Sequence, residues 1–203
     1  MAQLLSESFR NLRTELSQHD FNLGHLFEKL GVKSHAFVIL VLVFPFFTPF
    51  PVPGLSTVMG IMASFVIVSW FRRKEIWLPV KWRTRILPSK IFLKVFEYGE
   101  KVSVKFEHLF KARGKKLLQL SGVRFLLCFL ILVSAFFLAL PLPPGTNLPP
   151  ALAMAFLALA ILFEDIVLLF LGVLIFCLQA YIISVTVWFL FTKALPYIQS
   201  FLA

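Results

Sequence analysis

Apolar residues fill long unbroken runs of this chain, and polar residues gather between the runs instead of alternating with them. Residues 1–34 carry only a weak amphipathic pattern (Leu4, Leu5, Phe9, Leu12, Leu16, then Phe21, Leu26, Leu30), with Gly31 placed to end a helix. Ala36 to Phe47 is then an apolar arm of twelve residues. At 1.5 Å per residue such an arm reaches only about 18 Å, short of a hydrocarbon core of about 30 Å. Leu55 to Phe71 forms a returning arm, closed by Arg72, Arg73 and Lys74. A third arm, Phe125 to Leu140, and a fourth, Leu148 to Phe163, follow, and Ile166 to Phe191 is a final run long enough to cross a bilayer with tilt.

Between the paired arms lie two proline-rich breaks. Pro45 to Gly60 reads PFFTPFPVPGLSTVMG, and Pro141 to Pro150 reads PLPPGTNLPP. Each proline removes a backbone donor and clashes with the preceding turn, so a regular helix ends there. Broken backbone at membrane depth is tolerated only where protein or a water-filled cavity surrounds it, which marks both breaks as candidate sites. Aligning Gly54 with Gly145 puts Pro53 on Pro144, Ser56 on Asn147, Gly60 on Ala151, Ser64 on Ala155 and Lys74 on Asp165. A one-residue gap then also matches Pro49 with Pro141 and Pro51 with Pro143. This predicts an internal duplication around broken helices, a plan that recurs in transporters.

The expected architecture is therefore an all-α integral membrane protein. A cytoplasmic amphipathic segment (1–34) precedes a first helix–break–helix hairpin (35–74), a basic interfacial segment (75–120), a second hairpin (121–165), and a final transmembrane span and tail (166–203). The hairpins are expected to be re-entrant or barely spanning. The sequence leaves open whether the repeats run parallel or inverted. Gly60 and Ser64, like Ala151 and Ala155, sit four apart and would let the arms pack closely.

Composition and charge orient this picture. The chain is 59% hydrophobic, above the roughly 45–50% of ordinary soluble domains. No apolar stretch typical of a cleavable signal peptide precedes residue 35. The formal net charge is +10, and fifteen of the twenty Lys and Arg fall between Arg72 and Arg124, with only four acids among them. Such a loop stays on the cytoplasmic side of the membrane. Its neighbours are apolar spans, so the expected partner is anionic lipid, not nucleic acid. From Ser89, with Pro88 before it, Lys90, Lys94 and Lys101 recur at helical spacing opposite Phe92, Phe96 and Phe106, up to Gly114, as in a helix lying on the inner leaflet. The lipid-headgroup candidates are Arg72, Arg73, Lys74, Lys90, Lys94 and Lys101.

At the tips of the two hairpins the candidate ligand-binding residues are Thr48, Gly54, Ser56, Thr57, Gly145, Thr146 and Asn147. Two helix starts there would offer unpaired amides and partial positive charge to an anion such as a phosphate or pyrophosphate headgroup. The competing reading is that Ser56 and Asn147 only cap the helices that follow. Glu164 and Asp165 close the fourth arm, either as proton or ion carriers or as a polar turn at the interface. His19, His25, His35 and His108 lie in or beside polar surface segments, and Cys128 and Cys177 lie singly in apolar runs. No nucleophile, base or metal-ligand set is spaced to meet, so neither an enzyme, a metal nor a cofactor is expected.

The first break with Pro45, Pro49, Pro51, Pro53, Gly54, Leu55, Ser56 and Gly60, then Trp77, Leu78 and Pro79, then Pro141, Pro143, Asn147 and Pro149, resembles the ExoD family over about residues 20–180. That resemblance implies a bacterial inner-membrane protein associated with exopolysaccharide synthesis, with the synthesis machinery as a partner. The chain departs from the family pattern at Phe163 to Ile166, where a Glu-Arg-Asp-Gly turn is usual, and at Phe71, where a glycine usually precedes the Arg pair. The paired proline loops are also similar to the plan of the DedA membrane proteins, implicated in lipid-carrier transport. The reading that follows is binding or transport of a lipid-linked or anionic small molecule at the tips. The alternative is a non-transporting scaffold that docks the synthesis machinery. The number of subunits is left open.

Overall fold

The computed structural model of the protein describes residues 30–31, 33–47, 54–74, 114–118, 120–140, 146–189 and 191–192. Every element among them is helical: α1 (Lys33–Val43) running into a 3-10 turn (Phe44–Phe47), α2 (Leu55–Phe71), α3 (Lys115–Leu118), α4 (Ser121–Ala139), α5 (Leu148–Phe163) and α6 (Ile166–Phe189). The predicted surface helix from Ser89, with Lys90, Lys94 and Lys101, lies outside the described residues, as do Thr48 and Gly145.

The breaks fall where proline requires them. α1 loses its α-helical winding at Val43, two residues before Pro45, and tightens into the 3-10 turn. α2 starts after Gly54, whose φ of 79° is a left-handed conformation that glycine adopts without a Cβ penalty. α5 carries Pro149 and Pro150 in its first turn, where a missing N–H breaks no intrahelical bond.

Four helices close a ring in which α1 packs on α2, α2 on α4, α4 on α5 and α5 on α1, while α6 lies along α5 and touches α4 only slightly. Specific contacts fix the directions. Gly60 of α2 crosses α4 so closely that a Cβ there would stand 2.6 Å from the Ala135 carbonyl oxygen. Further along the same pair, Cys128 Sγ lies 3.9 Å from the Ile67 carbonyl and Arg124 Nη2 donates to the Trp70 carbonyl at 3.0 Å, so α2 and α4 run antiparallel. α5 and α6 are antiparallel about a second close crossing, where a Cβ on Gly172 would meet the Leu157 side chain at 2.8 Å and its backbone nitrogen at 3.1 Å. Of the small residues predicted to let arms pack closely, Gly60 is the crossing point and Ala151 and Ala155 are buried in the core, while Ser64 is half-buried and turns its hydroxyl onto the Gly60 carbonyl of its own helix.

One end of the ring thus holds the start of α1, the end of α2, the start of α4 and the α5–α6 turn. It is tied by a hydrogen bond from His35 Nε2 to the Lys74 carbonyl (3.1 Å) and by one from the Gly114 amide to the Glu164 carbonyl (3.0 Å). This is the basic end, with Arg72, Arg73, Lys74 and Lys116 exposed. The opposite, tip end gathers the 3-10 turn, the start of α2, the end of α4 and the start of α5.

Several expectations are corrected by these elements. The third arm begins at Ser121, not Phe125, because its first turn includes Arg124, whose charged head is held by carbonyls at the end of α2. At nineteen residues, α4 reaches about 28 Å and is one of two helices among the described residues long and apolar enough to cross a membrane. The other is α6, an α-helix as far as Phe189, beyond which residue 190 lies outside the described residues. Phe125, Phe129 and Phe136 on α4 and Phe170, Leu174, Leu178, Tyr181 and Trp188 on α6 face outward, as lipid contact requires.

Candidate functional site

The tip end is built from backbone more than from side chains. Neither helix start there is capped by a side chain. Gly54, which has no side chain, is the N-cap of α2, and Ser56 sits one residue inside that helix, 9% exposed. Asn147 is the N-cap of α5 and makes no capping bond. The reason is chemical: a capping side chain accepts from the second or third amide of the helix, and in α5 both positions are prolines. The capping reading of Ser56 and Asn147 is therefore replaced. Asn147 Oδ1 is buried and has no hydrogen-bond partner among the described residues.

The two starts differ in what they offer a ligand. In α2 the amides of Leu55, Ser56 and Thr57 precede the first intrahelical bond, from Val58 N–H to the Gly54 carbonyl. In α5 only Leu148 keeps its N–H before Ala151 bonds to the Asn147 carbonyl. Thr57 is already engaged, its Oγ1 donating to the Ala139 carbonyl at 3.0 Å. That bond satisfies an acceptor at the end of α4 and pins the first tip to the second hairpin. Thr146 stands beside Asn147, half-buried.

At the opposite end, Glu164 adopts φ 53°, ψ 40° and turns the chain from α5 into α6. Asp165 follows in the same turn and is fully buried. Its Oδ1 accepts the Val167 amide at 2.6 Å and so caps α6, while Oδ2 has no partner among the described residues. His35 is likewise a helix-start residue but buried, 4% exposed.

Four residues that matter were not singled out from the sequence. Arg124 donates to the carbonyls of Trp70 (3.0 Å) and Phe71 (3.3 Å), and its guanidinium carbon lies 5.1 Å from the centroid of the Trp70 ring. Between α4 and α6, Ser134 Oγ donates to Gln179 Oε1 at 2.9 Å, with both residues fully buried and Gln179 Nε2 unpartnered among the described residues. The signal was present, since Ser134 is the one hydroxyl residue of its apolar arm and Gln179 is the one side-chain amide of the last span.

An uncharacterized protein of Synechocystis sp. is 25% identical over 133 residues, which is 65% of this chain and 62% of that protein's length. The match thus spans less than two thirds of that relative. No solved structure matches the chain. The family model described as "Exopolysaccharide synthesis, ExoD" matches residues 5–185. That match, on a helical chain with two membrane-length helices, makes this a membrane protein belonging to the ExoD family of exopolysaccharide synthesis.

Proposed function

We propose that this protein binds a lipid-linked small molecule at the tip end of the ring and moves or presents it in support of exopolysaccharide synthesis. The observation that carries this reading is the pair of proline-broken helix starts, both without a side-chain cap and both at one end of the ring. Packing also supports duplication: α2 lies on α4 as α5 lies on α1, so the second arm of each hairpin packs on the first arm of the other. An anionic group on the ligand would find its amides at α2, because prolines remove most of those at α5. The protein would sit in the bacterial inner membrane as a multi-pass protein, with its basic end in the cytoplasm and anionic headgroups at Arg72, Arg73 and Lys74. Its role would be binding without chemical conversion.

The scaffold reading draws on the same exposed cations as a docking face for the synthesis machinery. The two separate by mutation in cells. Ser56→Ala with Asn147→Ala removes polar groups that cap nothing, so membrane levels of folded protein should hold while polysaccharide output falls. Unchanged output from that double variant, together with lost output when Arg72, Arg73 and Lys74 are neutralised, would establish the scaffold instead.

A further inference from the structure

The fully buried pair between α4 and α6 has a chemistry of its own. An unanswered donor in a buried position costs about 1–3 kcal/mol, and a leucine would avoid the cost. Gln179 nevertheless stands in α6 with Nε2 unpartnered among the described residues. Seven residues separate it from the Gly172–Leu157 crossing, about 10 Å along the axis, which brings it level with Pro150 in the first turn of the antiparallel α5. Asn147, three residues earlier in α5, carries the other orphan of this half, the buried Oδ1. One asks for an acceptor and the other for a donor.

No Asp, Glu, Lys or Arg occurs in residues 36–71, 125–163 or 166–192. A fully charged guest at this depth would lack a counter-charge from those stretches. A hydroxyl both donates and accepts, so it answers either orphan, and it does so whichever way the Gln179 amide is turned. The Ser134–Gln179 hydrogen bond bridges α4 and α6, which otherwise touch only slightly, so an amphiphile entering between them would meet Gln179.

We infer that Gln179 and Asn147 form a binding site, at the level of the first turn of α5, for the hydroxyl head of an uncharged amphiphile entering between α4 and α6. This rests on the tip-site reading above and narrows its ligand from lipid-linked or anionic to uncharged and hydroxyl-bearing.

The test uses the full chain in phosphatidylcholine nanodiscs and two photoreactive probes of equal chain length. One is a hexadecanol and the other a hexadecyl phosphate, each with a diazirine next to its head, and labelled peptides are mapped by mass spectrometry. The alcohol should label residues 146–157 and 175–184 several-fold more than the phosphate. Gln179→Leu should reduce that labelling about tenfold, the loss expected for about one buried hydrogen bond. Should Gln179→Leu fail to fold, Asn147→Ala, whose side chain caps nothing, carries the same expectation. Tip labelling by the phosphate equal to that by the alcohol overturns the uncharged ligand and leaves the tip site standing. Labelling of the tips by neither probe overturns both, and wild-type labelling of Gln179→Leu shows that the amide serves packing alone.

Discussion

Asp165 shows how a single side chain changes meaning between sequence and structure. Read along the chain, it is an acid at the end of an apolar arm; in the fold it is fully buried with one oxygen on the Val167 amide. Asn in its place would keep the capping oxygen, so Asp165→Asn should hold stability to within about 0.5 kcal/mol while Asp165→Ala loses about 1 kcal/mol. Thermal unfolding of the purified variants reads this directly, and normal polysaccharide output from Asp165→Asn would dismiss a proton-carrying role. The tip residues behave differently. Asn147 stands out in the sequence as a candidate because a polar group interrupts a proline-rich break, and the prolines that forbid it from capping sit two and three residues on. Gln179 escaped notice because hydropathy averages over a span and hides one amide among two dozen residues.

At the level of helices, the breaks were legible and the ends were not. Proline and glycine fix where α1 stops and where α2 and α5 start, since their backbone restrictions act locally. The start of α4 depends on a tertiary contact instead: Arg124 reads as a loop cation until its guanidinium is seen on the end of α2 and the face of Trp70. The two glycine crossings make a graded prediction. At Gly60 a methyl would press on the Ala135 carbonyl and the Ala139 backbone, neither of which can swing away. Gly60→Ala should therefore destabilise by about 1–3 kcal/mol despite the better helix propensity of alanine. At Gly172 the nearest atom is the end of the Leu157 side chain, which can rotate, so Gly172→Ala should cost less. Paired unfolding measurements in detergent check the order, and an equal or reversed order would contradict the crossing at Gly60.

For the whole molecule, length and charge decide the arrangement. Among the described residues two helices, α4 in the ring and α6 beside it, are long enough to cross a membrane, and the three other apolar helices are shorter. Its basic end is held by hydrogen bonds from the His35 ring and the Gly114 amide to backbone carbonyls, and its tip end is an uncharged assembly of broken helix starts. That the chain is an all-helical membrane protein was legible because apolar runs and prolines are one-dimensional signals. Which arms would pack, and that a buried amide would join α4 to α6, was not, because both depend on side chains meeting across the fold. The central claim is that the two proline-broken tips hold a ligand. An experimental structure of the chain in nanodiscs made from its native membrane lipids tests it most directly. The account predicts lipid-like density reaching Gly54–Thr57 and Asn147–Pro150. Tips packed solid against one another, with no density and no polar path between them, would contradict it.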